Sequence, residues 1–206
     1  MHGLALCAGI GGLELGVRMA VGDAYRTICY VEREAYPASL LVARMRDKTL
    51  DEAPIWGNVE TFDGISWRGA VDIVLAGFPC QPVSVAGKQR GLEDPRWLWP
   101  HIARIVAEVS PAFVFLENVP GIVRYLPSIL GDLDRLGFQG QADIFSAAEI
   151  GASHIRKRVF VLAYSRRKCR RAFWPASQPE KPVPYVDNQR LSSSLGDSGS
   201  PRLDVE

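Results

Sequence analysis

Short, almost wholly apolar runs alternate along the chain with stretches whose apolar residues recur every three or four positions. GLALCAG (Gly3 to Gly9) has the length and texture of a buried strand, and GGLELGVRMAV after it carries Leu13, Val17, Ala20 and Val21 at helical spacing. RTICYVE predicts a second strand and AYPASLLVARMR a second helix. VDIVLAG (Val71 to Gly77) is another short apolar run, of the kind found in parallel strands covered on both faces. LWPHIARIVAEV then reads as a helix, AFVFLEN as a strand and LPSILGDLDRL as a helix, and GQADIFSA and RVFVLAY close the series as strands. Strand and helix alternate, which predicts an α/β protein built on a doubly wound, Rossmann-like sheet.

The pattern stops after Tyr164. RRKCRR (Arg166 to Arg171) is almost wholly basic, and the residues from Ala172 to Glu206 are rich in proline and serine with little apolar period. The expected organisation is a folded domain over residues 1–165, then a basic linker and a disordered tail over 166–206.

Composition narrows the classes. The 206 residues are 47% hydrophobic and 23% charged, with a formal net charge of +1, so no global charge draws the chain to nucleic acid or membrane. No apolar run has the length of a membrane span and the N-terminus has no basic leader, so a cytoplasmic protein is expected. The four cysteines, Cys7, Cys29, Cys80 and Cys169, lack paired metal-ligand spacing, and no metal is expected. Cys7 and Cys29 sit in apolar runs and read as small core residues. Cys80 sits in GFPCQPVSVAG, where Pro79 and Pro82 stiffen the backbone on both sides of the thiol.

Between the first strand and first helix lies AGIGGLELG. Its glycines let backbone approach a ligand, and the helix N-terminus offers free N–H groups. Glu32 ends the second strand, where a ribose-binding carboxylate belongs in a nucleoside-binding fold. Glu14 occupies the position of the last glycine of GxGxxG. A carboxylate there is awkward for a pyrophosphate and harmless for a ligand without phosphate, which favours S-adenosylmethionine over a nicotinamide dinucleotide.

With CAGIGG, GFPCQPVSVAGKQRGLEDPR, FLENVPG and GASHIRKRVFVLA in this order, the chain resembles the DNA cytosine-5 methyltransferase family over residues 3 to 164. The resemblance implies the S-adenosylmethionine-dependent methyltransferase form of the α/β sheet. It implies a cofactor site of Ala8, Gly9, Ile10, Gly11, Gly12, Glu32, Arg33, Asn58, Val59 and Pro79. Cys80 would be the nucleophile, Glu117 the carboxyl group at ring nitrogen 3, and Arg156 and Arg158 the arginines that hold the base and the nucleophile loop. Ser84, Lys88, Gln89 and Arg96 would contact double-stranded DNA, the implied substrate, around a flipped cytosine. His154 stands where the family has glutamine, Asn58 where it has aspartate, and Arg33 where an aromatic or apolar residue packs on adenine.

The family normally continues into a target-recognition domain and a further Gly-Asn segment, for which the sequence after Tyr164 offers no match. Three readings follow: half of a split enzyme whose second polypeptide supplies recognition, a truncated or decayed product of a mobile element, or a compact enzyme of low specificity. A non-catalytic cofactor-binding remnant and a tRNA cytosine-5 methyltransferase stand as alternatives. The context implied is prokaryotic or phage, of the restriction-modification type.

Overall fold

Seven strands form one sheet in the order β3-β2-β1-β4-β5-β7-β6. They are β1 (His2–Leu6), β2 (Arg26–Val31), β3 (Ile55–Trp56), β4 (Ile73–Ala76), β5 (Phe113–Asn118), β6 (Phe138–Ser146) and β7 (Lys157–Ser165). The structure, a computed structural model, describes residues 1–79 and 97–168. Cys80, Ser84, Lys88, Gln89, Arg96 and the expected tail from 169 onward lie outside the described residues.

β1 to β5 run parallel, while β7 runs antiparallel to both β5 and β6. Among the described residues four α-helices flank the sheet: α1 (Gly12–Val21), α2 (Ala35–Arg46), α3 (Trp99–Val109) and α4 (Leu126–Arg135). The strand period of two sorts the side chains. Leu4, Leu6, Val74, Ala76, Val114, Leu116, Val159 and Val161 meet Ile102, Ile105, Val106, Ile129 and Leu133 of α3 and α4 on one face. Ala5 and Tyr30 meet Leu41 and Leu50 on the other, and Ile73 and Leu75 meet Leu13 and Val17 of α1 there. The alternating pattern thus becomes a sheet with helices on both faces.

Two local readings change. Ala20 and Val21 are exposed, because α1 runs past the sheet after Val17. Cys7 falls one residue beyond β1, half-buried, in the left-handed region at φ 51°. Trp97 and Trp99 are buried against Phe78, with ring centroids 6.0 and 6.2 Å away. The chain therefore leaves for residues 80–96 and returns from them on one aromatic cluster.

Candidate functional site

The carboxyl ends of β1, β2, β4 and β5 gather around the turn from β1 into α1. That turn needs unusual backbone: Gly9 has φ 55° and Gly11 φ 79°. Gly11 caps α1 in the left-handed conformation, and a Cβ there would stand 2.3 Å from Leu50 Cδ1. Glycine is required by both conformation and space. At Gly9 and Gly12 a Cβ would meet nothing within 4 Å, so the same turn is open on its outer side.

Glu32 braces the turn. Its Oε2 accepts from Gly9 N–H at 2.7 Å and its Oε1 from Glu34 N–H at 2.8 Å, while Ala8 N–H donates to Val31 O at 3.1 Å. A carboxylate accepts about four hydrogen bonds, so both oxygens keep acceptor capacity. Gly9 N–H is thereby taken up by Glu32. Burial first, then the nearby Glu32 charge, pushes the Cys7 thiol up to about 12, so it stays protonated beside the turn.

Asn58 follows β3 and starts a 3₁₀ turn (Val59–Thr61), its Oδ1 accepting from Glu60 N–H at 2.9 Å. Val59 turns its side chain into the core and does not bring it to the glycine turn. Arg33 is exposed and pairs with Glu34 at 3.6 Å, and Ile10 is exposed with its carbonyl accepting from Arg44 at 2.6 Å.

The second half of the site stands on β5 and β7. Phe160 pairs with Glu117 across the antiparallel ladder, so Arg158, two residues earlier, lies diagonal to Glu117 on the same face. Arg158 Nε donates to Glu117 Oε1 at 2.6 Å, with both side chains largely buried. A Cβ on Gly77 would lie 3.6 Å from Glu117 Oε2 and 3.8 Å from the Cys7 carbonyl. The ends of β1, β4 and β5 thus converge within van der Waals reach of one another. Arg156 is exposed ahead of β7, its carbonyl accepting from Ala147 N–H at 3.1 Å. Pro79, also exposed, is the last described residue before Cys80.

Two contributors escape a reading of the sequence. Asn118 is buried; its Nδ2 donates to Phe78 O at 2.9 Å and its Oδ1 accepts from Val119 N–H at 2.9 Å. It ties the strand carrying Glu117 to the segment that leads into Cys80. Arg104 of α3 pairs with Glu108 at 2.8 Å and donates to the carbonyls of Val59, Glu60 and Phe62, clamping the turn after Asn58. The only signal for Arg104 was its i,i+4 spacing to Glu108, which is common on solvated helix faces.

Among the described residues no group of three or more His, Cys, Asp and Glu could hold a metal ion, and no helix is long and apolar enough to cross a membrane.

With this geometry in place, comparison with known proteins gives one direction. The family model for the C-5 cytosine-specific DNA methylase matches residues 1–201. The Type II methyltransferase M.NgoMIV of Neisseria gonorrhoeae is 33% identical over 184 residues, which cover 87% of this chain and 56% of that protein. The Type II methyltransferase M.PspPI of a Psychrobacter strain is 31% identical over 197 residues, covering 92% and 44%. The chain thus spans about half the length of the curated relatives it matches. Among solved structures, a DNMT2 from Spodoptera frugiperda superposes with a TM-score of 0.67 at 20% identity, covering 87% of this chain and 53% of that one. A DNA modification methyltransferase encoded within an E. coli prophage gives 0.65 at 23% identity, covering 81% and 47%. These two share the fold.

Proposed function

The chain belongs to the C-5 cytosine-specific DNA methylase family, and from that premise we propose that residues 1–165 form a catalytic unit that methylates carbon 5 of cytosine in DNA. The observation that carries the reading is the convergence of the open glycine turn, the Gly77–Pro79 segment and the Glu117–Arg158 pair at the carboxyl ends of the parallel strands.

S-adenosylmethionine fits the turn. Gly9 and Gly12 are open, Glu32 keeps acceptor capacity for ribose hydroxyls, and the spent Gly9 N–H suits a ligand without phosphate. Ala8, Gly9, Ile10, Gly11, Gly12 and Glu32 would hold it, with Arg33, Asn58, Val59 and Pro79 around the base; Val59 would act through its backbone. When bound, this cofactor supplies an electrophilic methyl group on a sulfonium.

The chain's own residues do the rest. Cytosine carbon 5 is a weak nucleophile. The Cys80 thiolate adds to carbon 6 and turns the ring into an enamine with electron density at carbon 5. Glu117 holds a proton at ring nitrogen 3 as charge builds there, and Arg158 fixes that carboxyl group from the side. Once carbon 5 is alkylated, a base takes its proton, the ring double bond re-forms and the thiolate leaves. The target atom is inaccessible in stacked DNA, so the cytosine is flipped, with Arg156, Ser84, Lys88, Gln89 and Arg96 as contacts to base and backbone.

The test is transfer of labelled methyl from S-adenosylmethionine to mixed-sequence duplex DNA and, separately, to tRNA, for the chain with and without the second half of a relative. Label in 5-methylcytosine of DNA, lost in Cys80→Ala with cofactor binding retained, is expected. Label that survives Cys80→Ala, or enters tRNA alone, refutes the reading.

A further inference from the structure

Asn58 stands beyond the reach of the sheet ladder. β3 is an edge strand of two residues, and its pairing with β2 ends at Trp56, whose carbonyl accepts from Glu32 N–H at 2.9 Å. The chain from 58 to 68 is strapped to α3 instead, at three heights. Arg104 Nη1 donates to Phe62 O at 3.0 Å, and its Nη2 donates to Val59 O at 3.1 Å and Glu60 O at 3.2 Å. Glu108, one helical turn on, holds Arg104 Nη1 with both oxygens at 2.8 Å and accepts from Gly64 N–H at 2.9 Å. Arg68 returns the grip, donating to Glu108 O at 2.7 Å and Ala107 O at 3.3 Å in the last turn of α3. A Cβ on Gly64 would stand 2.9 Å from Glu108 Cβ, so the strap lies directly on the helix.

One peptide group links Arg104 to Asn58. The carbonyl of Val59 and the N–H of Glu60 belong to the same trans peptide, so they point to opposite sides. Arg104 takes the oxygen on one side, and on the other Glu60 N–H donates to Asn58 Oδ1 at 2.9 Å. A cation on the oxygen polarises the amide and strengthens its N–H as a donor. The same Nη2 also grips the next carbonyl, so this peptide cannot turn over. The Asn58 oxygen is thereby fixed toward Glu60, because a reversed carboxamide would set its own N–H groups against Glu60 N–H. Both Nδ2 hydrogens and one lone pair of Oδ1 remain for a ligand.

We propose that Arg104 is a positioning residue for the cofactor's base: through the Val59–Glu60 peptide it locks the Asn58 carboxamide in the orientation that reads adenine and rejects 6-oxopurines. The inference rests on the methylase reading, in which Asn58 stands beside the base, and adds to it what sets the choice of base. Adenine carries the N6–H donor next to a ring-nitrogen acceptor, and a carboxamide with its oxygen and nitrogen in fixed places pairs with both. Hypoxanthine carries an acceptor, O6, in place of that donor, and a donor at N1. Against the locked carboxamide oxygen would face oxygen, and N–H would face N–H. A carboxamide free to turn over would pair with hypoxanthine as readily as with adenine. The discrimination therefore lies in the lock, and the lock lies in Arg104, which no other described side chain duplicates at the Val59 carbonyl.

Arg104→Lys keeps the charge but offers one nitrogen in place of a planar fork, so it cannot hold the Val59 and Phe62 carbonyls together. The probes are S-adenosylhomocysteine, the demethylated cofactor, and its hypoxanthine counterpart S-inosylhomocysteine, each titrated calorimetrically into the full chain. The parent should prefer the adenine form by about thirtyfold, and Arg104→Lys should cut that preference to about threefold. In the chain alone, Glu60 amide exchange followed by NMR should quicken about tenfold in the variant. Where Arg104→Lys does not fold, Glu108→Gln, which leaves one oxygen under Arg104, should move both readouts in the same direction by a smaller factor. Affinity lost equally for the two probes, with the preference intact, is the signature of a merely structural role and overturns the proposal. Unchanged Glu60 exchange overturns it too. A parent that binds both probes without preference overturns this proposal alone and leaves the methylase reading; a parent that binds neither overturns both.

Discussion

Replacing Glu14 by glutamine should make the protein more stable in mild alkali than the unmodified chain, with the advantage fading below neutrality. Glu14 lies in the first turn of α1, 2% exposed, with Oε2 lacking a hydrogen-bond partner. Burial drives its carboxyl up to about 7 from an ordinary 4.5, opposed only by a bond to its own backbone N–H. The neighbouring hydroxyls of Tyr25 and Tyr30, themselves raised by burial, hold their protons across this range. The folded protein therefore keeps a proton on Glu14 between about pH 4.5 and 7 that the unfolded chain has released. Stability falls as pH rises through that window and levels off above it. A shift of about 2.5 units corresponds to about 3 kcal/mol. Glutamine cannot ionise, so the stability difference between Glu14→Gln and the parent should change by about 2.5 kcal/mol in favour of the variant from pH 5 to pH 8. The amide's own unmet hydrogen bonds, about 1 kcal/mol, move both ends of that range together. Urea unfolding of both proteins at half-unit pH steps measures the difference directly, since every other titrating group cancels. Parallel stability curves for the two proteins would refute the buried, neutral carboxyl.

Gly9→Ala and Gly11→Ala should separate binding from folding: Gly9→Ala costs about 1 kcal/mol of stability for its left-handed backbone and loses cofactor affinity, whereas Gly11→Ala collides with Leu50 and should lower stability by about 2–4 kcal/mol, both read by thermal melting beside calorimetric titration. Glu32→Ala should weaken S-adenosylmethionine binding by about 1–3 kcal/mol, because a charged acceptor is lost and the turn's brace with it; unchanged affinity in the same titration removes Glu32 from the site. Asn118→Ala leaves the Phe78 carbonyl and the Val119 N–H without their partner and should cost about 1–3 kcal/mol in urea unfolding, with methyl transfer falling more than cofactor binding.

Much of this architecture is legible in the residues because the strands are buried on both sides and so read as apolar runs. AYPASLLVARMR and LWPHIARIVAEV lie almost residue for residue on α2 and α3. β3 is missed because two residues, Ile55 and Trp56, carry no period. The reversal of β7 is invisible because direction depends on which strand it pairs with, and RVFVLAY reads alike in either sense. In the site, the glycine turn and Glu32 stand out by spacing, and the structure ties them together through Gly9 N–H. Asn118 does not, since its partner Phe78 is 40 residues away in sequence. Glu14 misleads in another way: its place in the glycine motif reads as a carboxylate facing the ligand, and only the packing of α1 on the sheet makes it a buried neutral group.

The sheet order β5-β7-β6 sets the order in which the domain can be completed. β6 precedes β7 in the chain, yet β6 joins the sheet through β7 alone. A nascent chain that has reached residue 156 therefore holds β6 without a partner strand, its hydrogen-bonding edge open. The nine residues of β7 supply the partner for both ladders and bring Arg158 to Glu117. A cut or stall in the short connection before β7 would cost the protein two strands and its charged pair at once. Completion of the sheet and assembly of the proposed catalytic corner both depend on the same strand, β7.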